Sequence, residues 1–222
     1  MKPKNSSGAF LNFSPVKVLA GHRLGFHSRW HEAPTVLPPN CTTLGFTKLV
    51  QEYDDSLYLK SDYKAAKGIA NEILELANQS ENQDAIKVRG LVRLSFTEIV
   101  FGKWGNKWKK NLKTCESLLS ENATIEHAEY LLYLGAIRGK WQSKFAEGLG
   151  HLNKSILIAN RIGDDRTLAI AYMHASELYA YLDQTELVTR NAYHGVTVAK
   201  HYGQQSIQTR TLRNLIFPSS DS

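Results

Sequence analysis

The distribution of proline constrains the fold of this chain more than any other feature of its sequence. Proline breaks the interior of a helix, because its ring lacks an N–H donor and clashes with the preceding turn. Of the six prolines, five lie in the first forty residues and the last is Pro218. The stretch between them, 40–217, is rich in the residues that favour helices, such as Ala, Leu, Glu and Lys. We therefore expect this stretch to be helical almost throughout.

Apolar residues within this stretch recur at steps of three and four, which is the spacing of one face of a helix. Gly163 and Gly203 follow two such series and predict helix ends, since glycine readily adopts the left-handed conformation. The predicted helices lie near residues 46–59, 62–78, 84–102, 106–120, 125–140, 144–162, 166–182, 186–202 and 205–217. Helices that are two apart in this series begin about forty residues from each other. Such a period is typical of stacked helical hairpins.

Three segments of the chain resemble parts of a known helical repeat. Residues 61–66 read Ser-Asp-Tyr-Lys-Ala-Ala, which is similar to the Gly-Asp-Tyr-x-x-Ala junction between the two helices of the tetratricopeptide repeat (TPR) family. Residues 128–135 resemble its first helix, with a large, large, small pattern that ends at Gly135. Residues 148–164 resemble its second helix and exit turn, in the longer form found in bacterial regulators and signalling proteins.

This resemblance covers residues 46–217 and implies an all-α fold. The expected architecture is a right-handed α-α superhelix, a TPR-like solenoid, of about four helical hairpins plus a C-terminal helix. The repeats are degenerate: Thr97 and Glu98 stand where the family has a large apolar residue followed by glycine, and Thr185 stands at an aromatic junction position. A non-repeating helical bundle is the alternative.

The two ends of the chain differ from this central domain. Residues 1–45 contain five prolines and scattered aromatic residues, so we expect an irregular or flexible basic leader. Residues 218–222 are expected to form a disordered tail. The helix predicted at 205–217 has no partner helix, which would leave apolar residues such as Leu212 uncovered. We expect it to act as a cap, to pair in a homodimer or to belong to a longer protein.

The resemblance also implies a concave groove built from the first helix of each hairpin. The residues expected to project into it are Ser95, Lys103, Leu132, Lys140, Met173, Glu177 and Tyr181. This mixture of polar, apolar and aromatic side chains suits a peptide or protein partner. We therefore expect a protein-interaction, sensor or scaffold module of a bacterial signalling or transcriptional regulatory system, and no enzymatic activity.

The net charge of +6 raises the alternative of a nucleic-acid-binding accessory protein. The first forty residues contain five basic residues and one acidic residue, so most of the excess lies in the leader. The Lys- and Trp-rich stretch 103–113 would extend such a surface. However, Trp108, Leu112 and Cys115 fall on one helix face, which predicts that this face is core and that the lysines are in solvent.

No pattern in the sequence points to a catalytic site, a cofactor or a metal. His22, His27 and His31 lack neighbouring ligands at metal-binding spacing. His174 and Glu177 share a helix face, and we interpret them as a surface or groove contact rather than a catalytic pair. Two cysteines do not form a disulfide framework. Because the chain lacks an apolar run of about 20 residues and a secretory signal, we expect a cytoplasmic protein without a membrane span.

Overall fold

The computed structural model describes residues 41–102, 105–119 and 123–216. These residues contain nine α-helices and no strand, which confirms the predicted helical class. The helices are α1 (Cys41–Asp54), α2 (Tyr63–Ala77), α3 (Gln83–Val100), α4 (Lys107–Leu118), α5 (Ile125–Ala136), α6 (Phe145–Ile162), α7 (Asp165–Tyr181), α8 (Thr185–Tyr202) and α9 (Gln205–Ile216). Helix α1 begins before residue 46, where the sequence predicted its start. The predicted leader up to residue 40 and the predicted tail at 218–222 lie outside the described residues.

Two of the helices continue into a π-helical turn, in which the hydrogen bonds span five residues. One such turn, Asp55–Leu59, extends α1, and the other, Ile137–Trp141, extends α5. Turns of this kind are rare and are often found at functional sites.

The connections between helices repeat one backbone conformation. Ser61, Ser143 and Asp183 have φ angles of 53°, 53° and 55°, and each precedes the next helix by two residues. Gly102 also has a positive φ, so such residues follow one another at intervals of about forty. Non-glycine residues seldom adopt this left-handed conformation. Its recurrence at the same place is what a repeated helical hairpin would produce.

Most helices pack against the next one along the chain, and every second helix from α3 onward also packs against its counterpart two positions further on. Helices α5 and α6, α6 and α7, and α7 and α8 pack directly on each other. Helices α3, α5, α7 and α9 also contact one another in order, and we call these four helices the inner row. Helix α1 packs along α2, and the turn Asp55–Leu59 reaches α9 at the far end of the inner row.

The last helix is covered on three sides. It packs against α7, α8 and the turn Asp55–Leu59, and its Ile207 is fully buried. Its outward positions include the polar residues Gln205, Thr209 and Arg213, with Leu212 partly exposed beside them. The described outer face of α9 is therefore mostly polar.

Glycine allows α5 and α6 to cross closely. A Cβ atom on Gly148 would lie 2.7 Å from the Gly139 backbone and 2.8 Å from the carbonyl oxygen of Gly135. These distances are shorter than any carbon contact that a packed interior tolerates, and the neighbouring atoms are backbone that cannot turn aside. By contrast, a Cβ on Gly150 of the same helix would meet nothing within 4 Å.

We expect Gly148→Ala to lower the free energy of unfolding by about 1–3 kcal/mol, because the added methyl group forces α5 and α6 apart. Gly150→Ala is the matched control and should leave stability unchanged or raise it by up to about 1 kcal/mol through helix propensity. Urea denaturation followed by circular dichroism measures both. Equal midpoints for the two variants would contradict the close crossing.

Candidate partner-binding site

A network of buried charges joins the helices of the inner row. Glu129 on α5 is fully buried and accepts hydrogen bonds from three arginines. Arg89 donates to its two oxygens at 2.8 and 3.0 Å, and Arg93 donates to both at 2.8 Å. Arg166 on α7 donates a further bond at 2.7 Å. One carboxylate therefore holds α3, α5 and α7 together.

Helix α1 joins this network through a second carboxylate. Arg166 donates to the two oxygens of Asp54 at 2.6 and 2.7 Å, in the bidentate geometry that is strongest for this ion pair. Gln204, just before α9, donates to the same carboxylate at 3.1 Å. Asp54 is fully buried. We call Asp54, Arg89, Arg93, Glu129 and Arg166 the charge network.

The charges of the network stabilise one another's ionised state. Burial alone would raise the pKa of Glu129, but the guanidinium groups of Arg89, Arg93 and Arg166 lower it well below its usual value. Burial alone would lower the pKa of Arg93, and the Glu129 carboxylate raises it instead. Glu129 and Arg93 therefore remain charged, and removal of Glu129 would leave the buried Arg93 without its counterion.

A second cluster lies where α7, α9 and the turn Ile137–Trp141 meet. Glu177 on α7 accepts a hydrogen bond from Nδ1 of His174 on the same helix, at 2.9 Å. Lys140, from the turn Ile137–Trp141, lies 3.5 Å from one oxygen of Glu177, and Arg210 of α9 lies 3.4 Å from the other. We call Lys140, His174, Glu177 and Arg210 the rim cluster.

The rim cluster is only partly covered. The side chains of Lys140 and Arg210 are 23% and 29% exposed, whereas that of Glu177 is 8% exposed. Burial alone would raise the pKa of Glu177, but Lys140, His174 and Arg210 lower it below its usual range. Two partly exposed cations thus face one buried carboxylate that stays ionised.

Aromatic side chains lie beside the same elements. Tyr181, at the end of α7, is 43% exposed, and its ring is 6.0 Å from that of Phe145. The ammonium group of Lys140 lies 5.4 Å from the centre of the Trp141 ring. Tyrosine, tryptophan and arginine are enriched among the residues that contribute most to binding in protein interfaces.

The residues predicted to line the groove fall into two groups. Lys140 and Glu177 meet in the rim cluster. Tyr181 lies four residues after Glu177 on α7. By contrast, Ser95, Leu132 and Met173 are fully buried, so a partner reaches them only if the surrounding helices separate. The hydroxyl of Ser95 donates to the carbonyl oxygen of Leu91 on its own helix. Lys103 lies outside the described residues.

Sequence reasoning did not identify the charge network or Arg210. A signal existed for part of the network, because Arg93 interrupts the apolar run Leu91-Val92-Arg93-Leu94 and Glu129 lies between Ala128 and Tyr130. Charges within such runs are rarely buried unless they are paired. No comparable signal marked Arg210, because its helix carries other polar residues on every side.

The Lys-rich helix α4 has the orientation that the sequence predicted. Trp108, Leu112 and Cys115 are buried, which confirms the predicted core face. Lysines 107, 109, 110 and 113 are exposed on the remaining surface. Burial raises the pKa of the Cys115 thiol to about 12, so this cysteine is a poor nucleophile.

The described part of the chain contains neither a cluster of potential metal ligands nor a helix that could cross a membrane. Among those residues, no three histidine, cysteine or carboxylate side chains lie together as potential metal ligands. None of the described helices has both the length and the apolar character required to cross a membrane. Comparison with models of known protein families gives no match for this chain, and comparison with curated proteins gives none.

We expect Glu129→Gln to lower the free energy of unfolding by about 3–5 kcal/mol, because three arginines lose the carboxylate that neutralises them. Glu126→Gln, on the first turn of the same helix, is the control and should change stability by less than about 1 kcal/mol. Chemical denaturation at neutral pH measures both variants. A Glu129→Gln protein as stable as the control would show that the network contributes little.

Because of the Glu129 carboxylate, the free energy of unfolding should depend on pH in the acidic range. Since the pKa of folded Glu129 lies below the unfolded value near 4.5, the unfolded chain binds protons first as the pH falls. Its stabilising contribution is complete above that value and is lost at lower pH. The unfolding free energy of the unmodified protein should therefore decrease more steeply than that of Glu129→Gln between about pH 5 and pH 3. Parallel profiles would contradict the lowered pKa.

Proposed function

We propose that the chain is a protein-interaction module that binds a peptide or protein partner at the rim cluster. In this proposal the hairpins form a TPR-like superhelix, and the partner contacts the ends of the inner helices rather than the middle of the groove. The resemblance to bacterial regulators motivates a role as a sensor or scaffold in a cytoplasmic signalling or transcriptional system. The same resemblance motivates a binding function rather than an enzymatic one.

One observation carries the proposal: two partly exposed cations converge on the single carboxylate of Glu177, and the exposed Tyr181 lies four residues further along the same helix. A lysine ammonium has three donors and an arginine guanidinium has five, so one carboxylate does not saturate them. The contacts of Lys140 and Arg210 with Glu177, at 3.5 and 3.4 Å, are at the long limit of hydrogen bonding. Both side chains therefore retain donors for the carbonyl or carboxylate groups of a bound segment.

The position of Tyr181 fits the same function. Large, rigid aromatic side chains contribute much contact area at a small entropic cost, and they are frequent among the residues that dominate binding energy. Tyr181 is one helical turn beyond Glu177, so the ring and the cations can contact neighbouring residues of one bound segment.

We expect Tyr181→Ala to weaken capture of a partner about tenfold or more, because the exposed ring supplies apolar contact beside the cations. Tyr193→Ala is the matched control, since Tyr193 is also exposed but lies on α8. The measurement is quantitative affinity capture from cell extract with the unmodified protein and each variant as bait. Circular dichroism should show equal helicity for all three baits. Equal capture by the two variants would show that the partner does not bind at the rim cluster.

A second candidate function is binding to nucleic acid, favoured by the four exposed lysines of α4. Such binding would weaken steeply with salt, because each phosphate contact releases counterions. Fluorescence anisotropy with single- and double-stranded oligonucleotides at low salt tests it. Binding that disappears when lysines 107, 109, 110 and 113 are replaced by glutamine would support this candidate, and absence of binding at low salt would exclude it.

A further inference from the structure

We propose that helix α1 and the π-helical turn that follows it, residues 41–59, open locally as a unit and thereby regulate the rim cluster. These residues are called the closing segment below. The regulatory consequence rests on the proposed partner site, whereas the opening itself is a property of the chain and is measurable without a partner.

The closing segment is held on the inner row by polar side chains. The Tyr53 hydroxyl donates to the carbonyl oxygen of Arg93 at 3.0 Å and lies 2.9 Å from the Thr97 hydroxyl. The Asp54 carboxylate pairs with Arg166 of α7. Hydroxyl and carboxylate groups form equivalent bonds with water when they are exposed, so separating these contacts costs less than their number implies.

The charge network can release Asp54 without losing its centre. Asp54 is the one member that comes from the closing segment, and the other members lie on α3, α5 and α7. If Asp54 withdraws, Arg166 keeps its bond to Glu129 at 2.7 Å. Glu129 also remains paired with Arg89 and Arg93. Opening therefore does not leave a buried carboxylate or guanidinium group without a partner in the inner row.

The apolar side chains of the closing segment belong to two separate clusters. Phe46 and Val50 pack with Ile73 of α2 in a small cluster that is separate from the main core. Tyr53, Leu57 and Tyr58 belong to the main core and are buried. An opening motion would expose these three side chains, so the closed arrangement is favoured and the open one is a minor state.

The π-helical turn links the closing segment to the rim cluster. Its Tyr58 hydroxyl lies 3.3 Å from Nε2 of His174, and the other ring nitrogen of His174 faces Glu177. The same turn packs against α9, which carries Arg210. When the turn leaves, His174 loses one of its two polar contacts and α9 loses one of the elements that position it. The cations of the rim cluster then become more accessible to a partner.

Hydrogen exchange measured by mass spectrometry on the full chain tests the proposal. In the unmodified protein, amides of residues 45–59 should exchange faster than amides of α5 and α7, because local opening requires less energy than global unfolding. Asp54→Asn should accelerate exchange of 45–59 about tenfold or more and leave α5 and α6 unchanged. Glu52→Gln, on the exposed side of the same helix, is the matched control and should have no effect.

Two results would overturn the proposal. One is exchange in 45–59 as slow as in α5 of the unmodified protein. The other is an Asp54→Asn protein in which exchange rises equally in all helices, which would make α1 an inseparable part of the core. If Asp54→Asn does not fold, Tyr58→Phe removes only the contact with His174 and should give a smaller acceleration confined to 45–59. Selective opening together with unchanged capture by Tyr181→Ala would leave the closing segment valid and refute the rim as the partner site.

Discussion

The arrangement of the inner helices depends on the carboxylate of Glu129. Three guanidinium groups from two other helices donate to this one group in a place that water does not reach. Each arginine satisfies the carboxylate only from one direction, so a shift of α3 or α7 along α5 would break an ion pair that has no replacement. Apolar packing alone tolerates such shifts more readily, because dispersion contacts have little directionality. The network therefore favours one register of α3 and α7 along α5 among the several that apolar packing alone would permit.

The charge network also lies among buried side chains of the inner row. Helical repeat proteins commonly use the concave face of their first helices, and the sequence placed its candidate residues there. In the described residues the inner row contains buried charges, Asp54 at the end of α1 pairs with one of them, and the turn Asp55–Leu59 reaches α9. Ser95, Leu132 and Met173 are consequently inaccessible. The partly exposed Lys140, Arg210 and Tyr181 lie instead on the turn Ile137–Trp141, in the middle of α9 and at the end of α7.

Much of the secondary structure and part of the site were predictable from the sequence. The helices followed from apolar spacing and from the absence of proline, and the buried face of α4 followed from the positions of Trp108, Leu112 and Cys115. Of the predicted groove residues, Lys140 and Glu177 do lie together, with the Lys140 ammonium 3.5 Å from the Glu177 carboxylate. Arg210 was missed because a single arginine among polar residues looks like any surface charge.

The sequence by itself determined which segments are helices and where the chain turns, since both depend on residues within a few positions of each other. Glycine and serine at the left-handed turns and aspartate or threonine at the helix starts act within one turn. Only the tertiary structure decided which charges are neutralised and where α1 lies. Asp54 and Arg166 are 112 residues apart, and Asp54 and Gln204 are 150 apart. No local pattern encodes such pairs, because their energy arises only when burial removes water from both groups at once.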